Sequence, residues 1–305
     1  MSTTVLCGGV GAARFLRGLM EIVDPTSVTA IVNVGDDTEL HGLHISPDID
    51  TVTYTLADAI DPDRGWGLAG ETWNAMGLLD RYGNPTWFNL GDQDLATHIV
   101  RTERLRRGEP LSSVTAHLAA SWGLTCGVIP VTDDPLRTMV TVEGTQIGFQ
   151  EYFVGRQHDV AIEAVRFDRV ETTTPAPGVL DAIASAERVV IAPSNPVVSI
   201  DPLLAVPGVR EAVAARRDAV AAISPIVSGA ALKGPAARML DELGEEASAV
   251  GVAERYAALA GTLVIDEADA DRRSEVEATG VRCVVTDTIM RDVERASALA
   301  KVAVA

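Results

Sequence analysis

Short apolar runs alternate with helix-spaced apolar positions along most of this chain. The first run, Thr3-Thr4-Val5-Leu6-Cys7, enters Gly8-Gly9-Val10-Gly11, and from Gly11 to Ile22 the residues Phe15, Leu16, Leu19 and Ile22 share one helical face. Val28 to Val34 is β-branched and unbroken, the pattern of a strand buried on both faces of a parallel sheet. A loop is expected over 35–42, and helix periodicity returns from Asp50 to Ile60. Further helices are expected over 71–81, 94–107 and 111–122, the last capped by Ser112 or Ser113. Between the first two of these, Trp87 to Asp92 reads as a strand end running into a loop.

Gly127 to Val131 reads as another strand, and then the pattern changes. Met139–Val142, Ile147–Phe149 and Val165–Phe167 are short alternating segments, so an antiparallel insertion is expected over 137–172. Strands at Val189–Ile191, Pro225–Val227, Leu263–Ile265 and Arg282–Val285, separated by helical stretches, complete the chain. Strands alternating with helices imply an α/β fold: a doubly wound, largely parallel, Rossmann-like sheet. No repeat or linker divides it, so residues 1–305 are expected to form one domain carrying the β insertion and a helical elaboration over 66–125.

Charge narrows the partners. Lys+Arg 25 against Asp+Glu 43 leaves a net charge of -18, which repels nucleic acid and anionic membranes. The same charge repels a phosphorylated substrate, so any anionic ligand needs local compensation from backbone amides, arginines or a metal. The three cysteines, Cys7, Cys126 and Cys283, lie far apart with no zinc-type spacing, and two of them sit in apolar runs. No secretory leader or membrane-length apolar segment is apparent, so a cytoplasmic location is expected, with a homodimer as the working oligomeric state.

Candidate chemistry collects where strands end. Gly8, Gly9 and Gly11 let backbone approach a diphosphate at the start of a helix, and Arg14 is placed to reach the same phosphates. The dinucleotide fingerprint asks for a glycine where this chain has Arg14. Asp36 and Asp37 end the second strand, and Asp48 and Asp50 precede the next helix; such a set suits magnesium shared with phosphate oxygens. Asn89, Asp92, Asp94 and His98 form a third polar edge. Ser194-Asn195-Pro196 can meet a base or phosphate, and Lys233 is one of only two lysines. No P-loop or Gly-x-Ser-x-Gly elbow is present. Two rivals use the same elements: an NAD(P)-dependent oxidoreductase, and a non-catalytic nucleotide-sugar-binding regulator.

Taken in order, several motifs carry a resemblance. They are Gly8-Gly9-Val10-Gly11-Ala12-Ala13-Arg14, Asn33-Val34-Gly35-Asp36-Asp37 and His41-Gly42-Leu43-His44-Ile45-Ser46-Pro47-Asp48-Ile49-Asp50. Leu90-Gly91-Asp92-Gln93-Asp94, Ala192-Pro193-Ser194-Asn195-Pro196, Ser224-Pro225-Ile226-Val227 and Lys233-Gly234-Pro235-Ala236 continue the series. The set resembles the 2-phospho-L-lactate/phosphoenolpyruvate transferases of coenzyme F-420 biosynthesis. The resemblance implies magnesium-dependent transfer of a phosphoenolpyruvyl or 2-phospholactyl group from a guanosine-diphosphate-linked donor. The acceptor it implies is the ribityl hydroxyl of the deazaflavin FO, and guanosine monophosphate leaves. It implies further that Asp50 and Asn89 contact the deazaflavin, with Asp92 and His98 grouped at that end. Gly8, Gly9, Gly11, Arg14, Ser194, Asn195 and Lys233 would serve the nucleotide and phosphates. Asp36, Asp37, Asp48 and Asp50 would supply the metal ligands, and Asp37 or Asp50 would orient or deprotonate the hydroxyl. Asn89 stands where some relatives carry a basic residue.

Overall fold

The computed structural model describes residues 1–231 and 234–305. The expected position of Lys233 therefore lies outside the described residues. In chain order the first half runs β1 (Thr3–Cys7), α1 (Gly9–Met20), β2 (Val28–Val32), β3 (Thr38–Leu40), β4 (Leu43–Ile45), α2 (Pro47–Leu56), α3 (Asn74–Arg81), α4 (Asp94–Arg106), α5 (Leu111–Ser121), β5 (Gly127–Pro130), β6 (Arg137–Val142), β7 (Thr145–Gly148) and β8 (Ala164–Asp168). The second half runs α6 (Val179–Ser185), β9 (Arg188–Ile191), α7 (Asp201–Ala205), α8 (Val209–Ala214), β10 (Val220–Ile223), β11 (Ile226–Val227), β12 (Ala230–Ala231), α9 (Ala236–Glu242), α10 (Ala249–Tyr256), β13 (Thr262–Asp266), α11 (Arg273–Ala278), β14 (Arg282–Thr286) and α12 (Val293–Ala303).

The central sheet has seven strands in the order β14-β13-β10-β9-β1-β2-β5, every neighbouring pair parallel. Leu6 of β1 lies opposite Ile31 on one side and Ile191 on the other, and all three are fully buried. Both faces of these strands are covered by helices, which is why their sequences are unbroken apolar runs. Helix α1 lays Ala12, Phe15, Leu16 and Leu19 on the sheet and packs against α2 and α12. The chain moves outward from β1 through β2 to β5, then returns to β9 on the other flank of β1. That reversal opens a crevice at the carboxyl ends of β1 and β9, the place where open α/β sheets take ligands.

The expected doubly wound sheet and the antiparallel insertion (order β7-β6-β8) are both present. Four local expectations are corrected. The loop expected over 35–42 is in part strand: residues 38–45 form a hairpin whose turn residues His41 and Gly42 both have positive φ, 53° and 73°, as a tight hairpin of this twist demands. Pro225–Val227 is not the central strand: Val220–Ile223 fills that place, and Ile226–Val227 pairs only with Ala230–Ala231. Trp87 to Asp92 contains no strand. Helix α5 is not capped by its own serines; Asp133 reaches across to accept from the Ser112 hydroxyl at 2.9 Å and also from its N–H. Among the described residues no helix is long and apolar enough to cross a membrane.

Candidate active site

The crevice is a cleft of about 770 Å³ lined from both halves of the sheet and from both elaborations. At one end β1 stops at Cys7 and α1 begins at Gly9, whose φ of +72° places it in the left-handed region that glycine occupies without strain. A Cβ on Gly11 would lie 2.6 Å from the Pro193 carbonyl oxygen, so only glycine lets α1 approach the loop after β9 this closely. The Ser194 hydroxyl clasps that loop to the turn, donating to Gly8 O at 2.8 Å and facing the Gly8 N–H at 3.3 Å. Arg14, in the second turn of α1, lines the same cleft. The first amides of an α-helix have no partner within it, so this end presents donors to an anion.

Acids stand against those donors. Proline opens α2 at Pro47, which brings Asp48 and Asp50 into its first turn rather than ahead of it, where the helix dipole favours negative charge. Asp48 is 7% exposed and accepts from Asn33 Nδ2 at 2.9 Å. Burial pushes its carboxyl up to about 7, with the Asp37 charge adding to the rise, while hydrogen bonds from Asn33 and the Gly9 N–H hold it down. Asp36 accepts from Gln150 Nε2 at 3.0 Å. Burial, then the Asp48 and Asp37 charges, push the Asp36 carboxyl well above the usual carboxylate range. Asp37 lies outside the cleft lining: its Oδ2 accepts from Ser46 and pairs with His44, both at 2.8 Å, while its Oδ1 is buried without a partner.

The other end is aromatic and acidic. Trp66, Trp87, Phe88, Phe149 and Phe153 line it, a surface suited to a flat ring. Behind it, Asp50 is held by the fully buried Arg101, whose Nη1 donates to Oδ2 at 3.0 Å while Nη2 reaches Oδ1. Burial works against the Arg101 charge, but the Asp50 carboxylate more than offsets it and holds the guanidinium above its ordinary range. Tyr54 donates to Asp94 Oδ1 at 2.6 Å, its hydroxyl pushed up by burial and by the Asp50 and Asp94 charges. Asp50, Asp94 and His98 offer donor atoms within 4.8 Å of one another, yet Arg101 already supplies the positive charge that an ion there would bring.

The structure thus gathers Gly8, Gly9, Gly11, Arg14, Ser194, Asn195, Asp36, Asp48, Asp50, Asn89 and His98 around one cleft. Asp92 is corrected. It lies outside the lining and anchors the start of α3, accepting from Thr72 Oγ1 at 2.6 Å, from the Asn74 and Ala75 N–H groups at 3.0 and 2.9 Å, and from Asn74 Nδ2. Sequence reasoning missed Arg101, Tyr54 and Gln150, and also Arg291, which follows β14 and lines the cleft.

Fold and site together define a doubly wound α/β protein whose switch-point cleft presents helix amides and buried acids at one end and an aromatic wall at the other. The family profile described as 2-phospho-L-lactate transferase CofD matches residues 3–302, and the chain belongs to that family. It is 45% identical over 307 residues to the phosphoenolpyruvate transferase of Streptomyces griseus, covering 99% of this chain and 96% of that one. It is 40% identical to the phosphoenolpyruvate transferase of Mycolicibacterium smegmatis, with 99% and 97% covered. A solved UPF0052 family member from Bacillus halodurans superposes with a TM-score of 0.65 at 17% identity, covering 100% of this chain and 98% of that chain, a likeness of fold.

Proposed function

We propose that this chain transfers a phosphoenolpyruvyl group from a guanosine-diphosphate-linked donor to the ribityl hydroxyl of the deazaflavin FO, with magnesium, in coenzyme F-420 biosynthesis. The observation that carries the reading is one cleft with two chemically different ends: helix amides and buried acids at the β1–β9 switch point, and an aromatic wall backed by Asp50 at the other. Full-length similarity to proteins named phosphoenolpyruvate transferase favours the enolpyruvyl donor over the 2-phospholactyl one. Three free, buried cysteines accord with a reducing cytoplasm.

The residues fit a magnesium ion. Asp36 and Asp48 are buried acids that line the cleft and repel one another, so a divalent cation held by these two and by donor phosphates would resolve an electrostatic cost that they otherwise bear, while Asp37, outside the lining and engaged by Ser46 and His44, would not be a ligand. When bound, magnesium neutralises charge on the diphosphate and on the departing guanylate. The α1 amides and Arg14 bind and orient the donor phosphates, and the aromatic wall holds the deazaflavin ring with its ribityl chain toward Asp50. The hydroxyl oxygen forms a bond to the donor phosphorus that carries the three-carbon acid, the bond from that phosphorus to guanosine monophosphate breaks, and the Asp50 carboxylate receives the hydroxyl proton. No side chain forms a covalent intermediate. Positioning and charge compensation carry the rate.

Mass spectrometry of the deazaflavin product made from each donor tests the reading. The expected product is the phosphoenolpyruvyl adduct, and Asp50→Asn is expected to cut turnover at least about 100-fold, the scale of a lost general base. A 2-phospholactyl adduct alone would reassign the donor, and no adduct from either would overturn the reading.

A further inference from the structure

Helix α4 is inverted relative to a helix that only packs. Its buried residues are Thr97, His98, Arg101 and Thr102, while Ile99 is 53% exposed. Asp94, His98 and Arg101 fall at i, i+4 and i+7, so they form one polar stripe facing inward. Burying an arginine is costly unless it is paired, and replacing a buried ion pair with apolar residues is often neutral or better. Packing alone therefore does not account for this face.

What the stripe holds is Asp50. Arg101 covers both of its carboxylate oxygens, and the Arg101 Nη1 also lies 3.3 Å from His98 Nδ1. A guanidinium only donates, so His98 Nδ1 is the acceptor and its proton sits on Nε2, 3.3 Å from Asp94 Oδ2. Asp94 in turn takes the Tyr54 hydroxyl, which is also 2.7 Å from Thr97 Oγ1. Asp50, Asp94, His98 and Tyr54 line the cleft, whereas Arg101 does not.

We propose that Arg101 is a positioning residue, fixing the Asp50 carboxylate from behind the cleft wall in the orientation that meets the acceptor hydroxyl. The proposal rests on the transfer reading above and confines the effect to the acceptor end, since among the described residues the glycine turn and Ser194 form no hydrogen bond with this network. A neutral side chain at position 101 leaves Asp50 free to turn.

The test compares Arg101→Met, Arg101→Lys, Asp50→Asn and the Asp50→Asn/Arg101→Met double variant. Arg101→Met is expected to lower kcat about 100-fold with GDP affinity, read by calorimetry, within about threefold of wild type. Arg101→Lys is expected to recover about tenfold of that loss by restoring the charge without the fork. The double variant should fall no further than Asp50→Asn, because nothing remains to be positioned. Wild-type-like kcat in Arg101→Met, or a double variant about 100-fold below Asp50→Asn, would overturn the proposal. If Arg101→Met does not fold, the double variant, which buries no unpaired charge, still decides it against Asp50→Asn. Should wild type itself show no turnover, the transfer reading falls instead. Arg101 is then judged by melting: Arg101→Met should melt below the double variant, and equal melting refutes the pairing.

Discussion

Replacing Asp48 with asparagine should change the way stability depends on pH. The Asp48 carboxyl is 7% exposed, faces the Asp37 charge and titrates at about 7, against roughly 3.9 in an unfolded chain. Between about pH 4 and about pH 7 the folded protein therefore holds a proton there that the unfolded chain has released. Because the folded state binds more protons in that window, unfolding free energy falls as pH rises through it and levels above it. Three pKa units at about 1.4 kcal/mol each amount to roughly 4 kcal/mol across the window, of which about 3 kcal/mol falls between pH 5 and pH 7.5. An asparagine does not titrate, so any constant effect of the substitution cancels when two pH values are compared. With chelator present, the Asp48→Asn variant should gain about 3 kcal/mol on wild type from pH 5 to pH 7.5, a relative shift of roughly 5 °C in Tm for a chain this long. Magnesium should raise the wild-type Tm above pH 7 more than below it, because the ion must displace that proton at the lower pH. Unfolding curves that stay parallel from pH 5 to pH 7.5 would refute the assignment of a buried, proton-holding Asp48.

Two further substitutions separate the cleft from its surroundings. Gly11→Ala places a Cβ 2.6 Å from the Pro193 carbonyl oxygen, a backbone atom that cannot swing aside, so it should cost about 1–3 kcal/mol in chemical denaturation and weaken GDP binding roughly tenfold by displacing the loop that carries Ser194. Asp92→Ala removes the acceptor for the Asn74 and Ala75 amides and should speed their hydrogen exchange while leaving affinity for the deazaflavin unchanged; a loss of that affinity would return Asp92 to the acceptor site.

The glycine and aspartate end of the cleft was legible because its residues follow strands directly. An unbroken run such as Val28–Val32 announces a parallel strand, and what comes next, Asp36 or Gly8, must lie at the carboxyl edge of the sheet. Arg101 and Tyr54 lie within helices, where the 3.6-residue period gives a face but not its direction. On α4 the rule that the polar side faces water is reversed, and the one available signal was that Asp94, Thr97, His98, Arg101 and Thr102 share a stripe while Ile99 stands opposite. Gln150 and Phe149 reach the cleft from the antiparallel insertion, 114 residues from Asp36 in the case of Gln150, a closure that no local pattern encodes. Asp92 misled for a related reason: Leu90-Gly91-Asp92-Gln93-Asp94 carries two acids two residues apart, one turned to the cleft and the other to the amides of α3.

The charge balance explains why the missed residues matter. For a protein of net charge -18 to admit the proposed diphosphate donor, the four aspartates nearby must be compensated. Arg101 compensates Asp50, while the Asn33 and Gln150 amides share Asp36 and Asp48, as weaker neutral donors do. The two ends consequently differ in what they still need. Asp50 is paired and fixed, fit to meet a neutral hydroxyl, whereas Asp36 and Asp48 retain an unmet demand for positive charge next to helix amides that call for negative charge. A cation and a phosphate arriving together satisfy both demands, and neither does so alone.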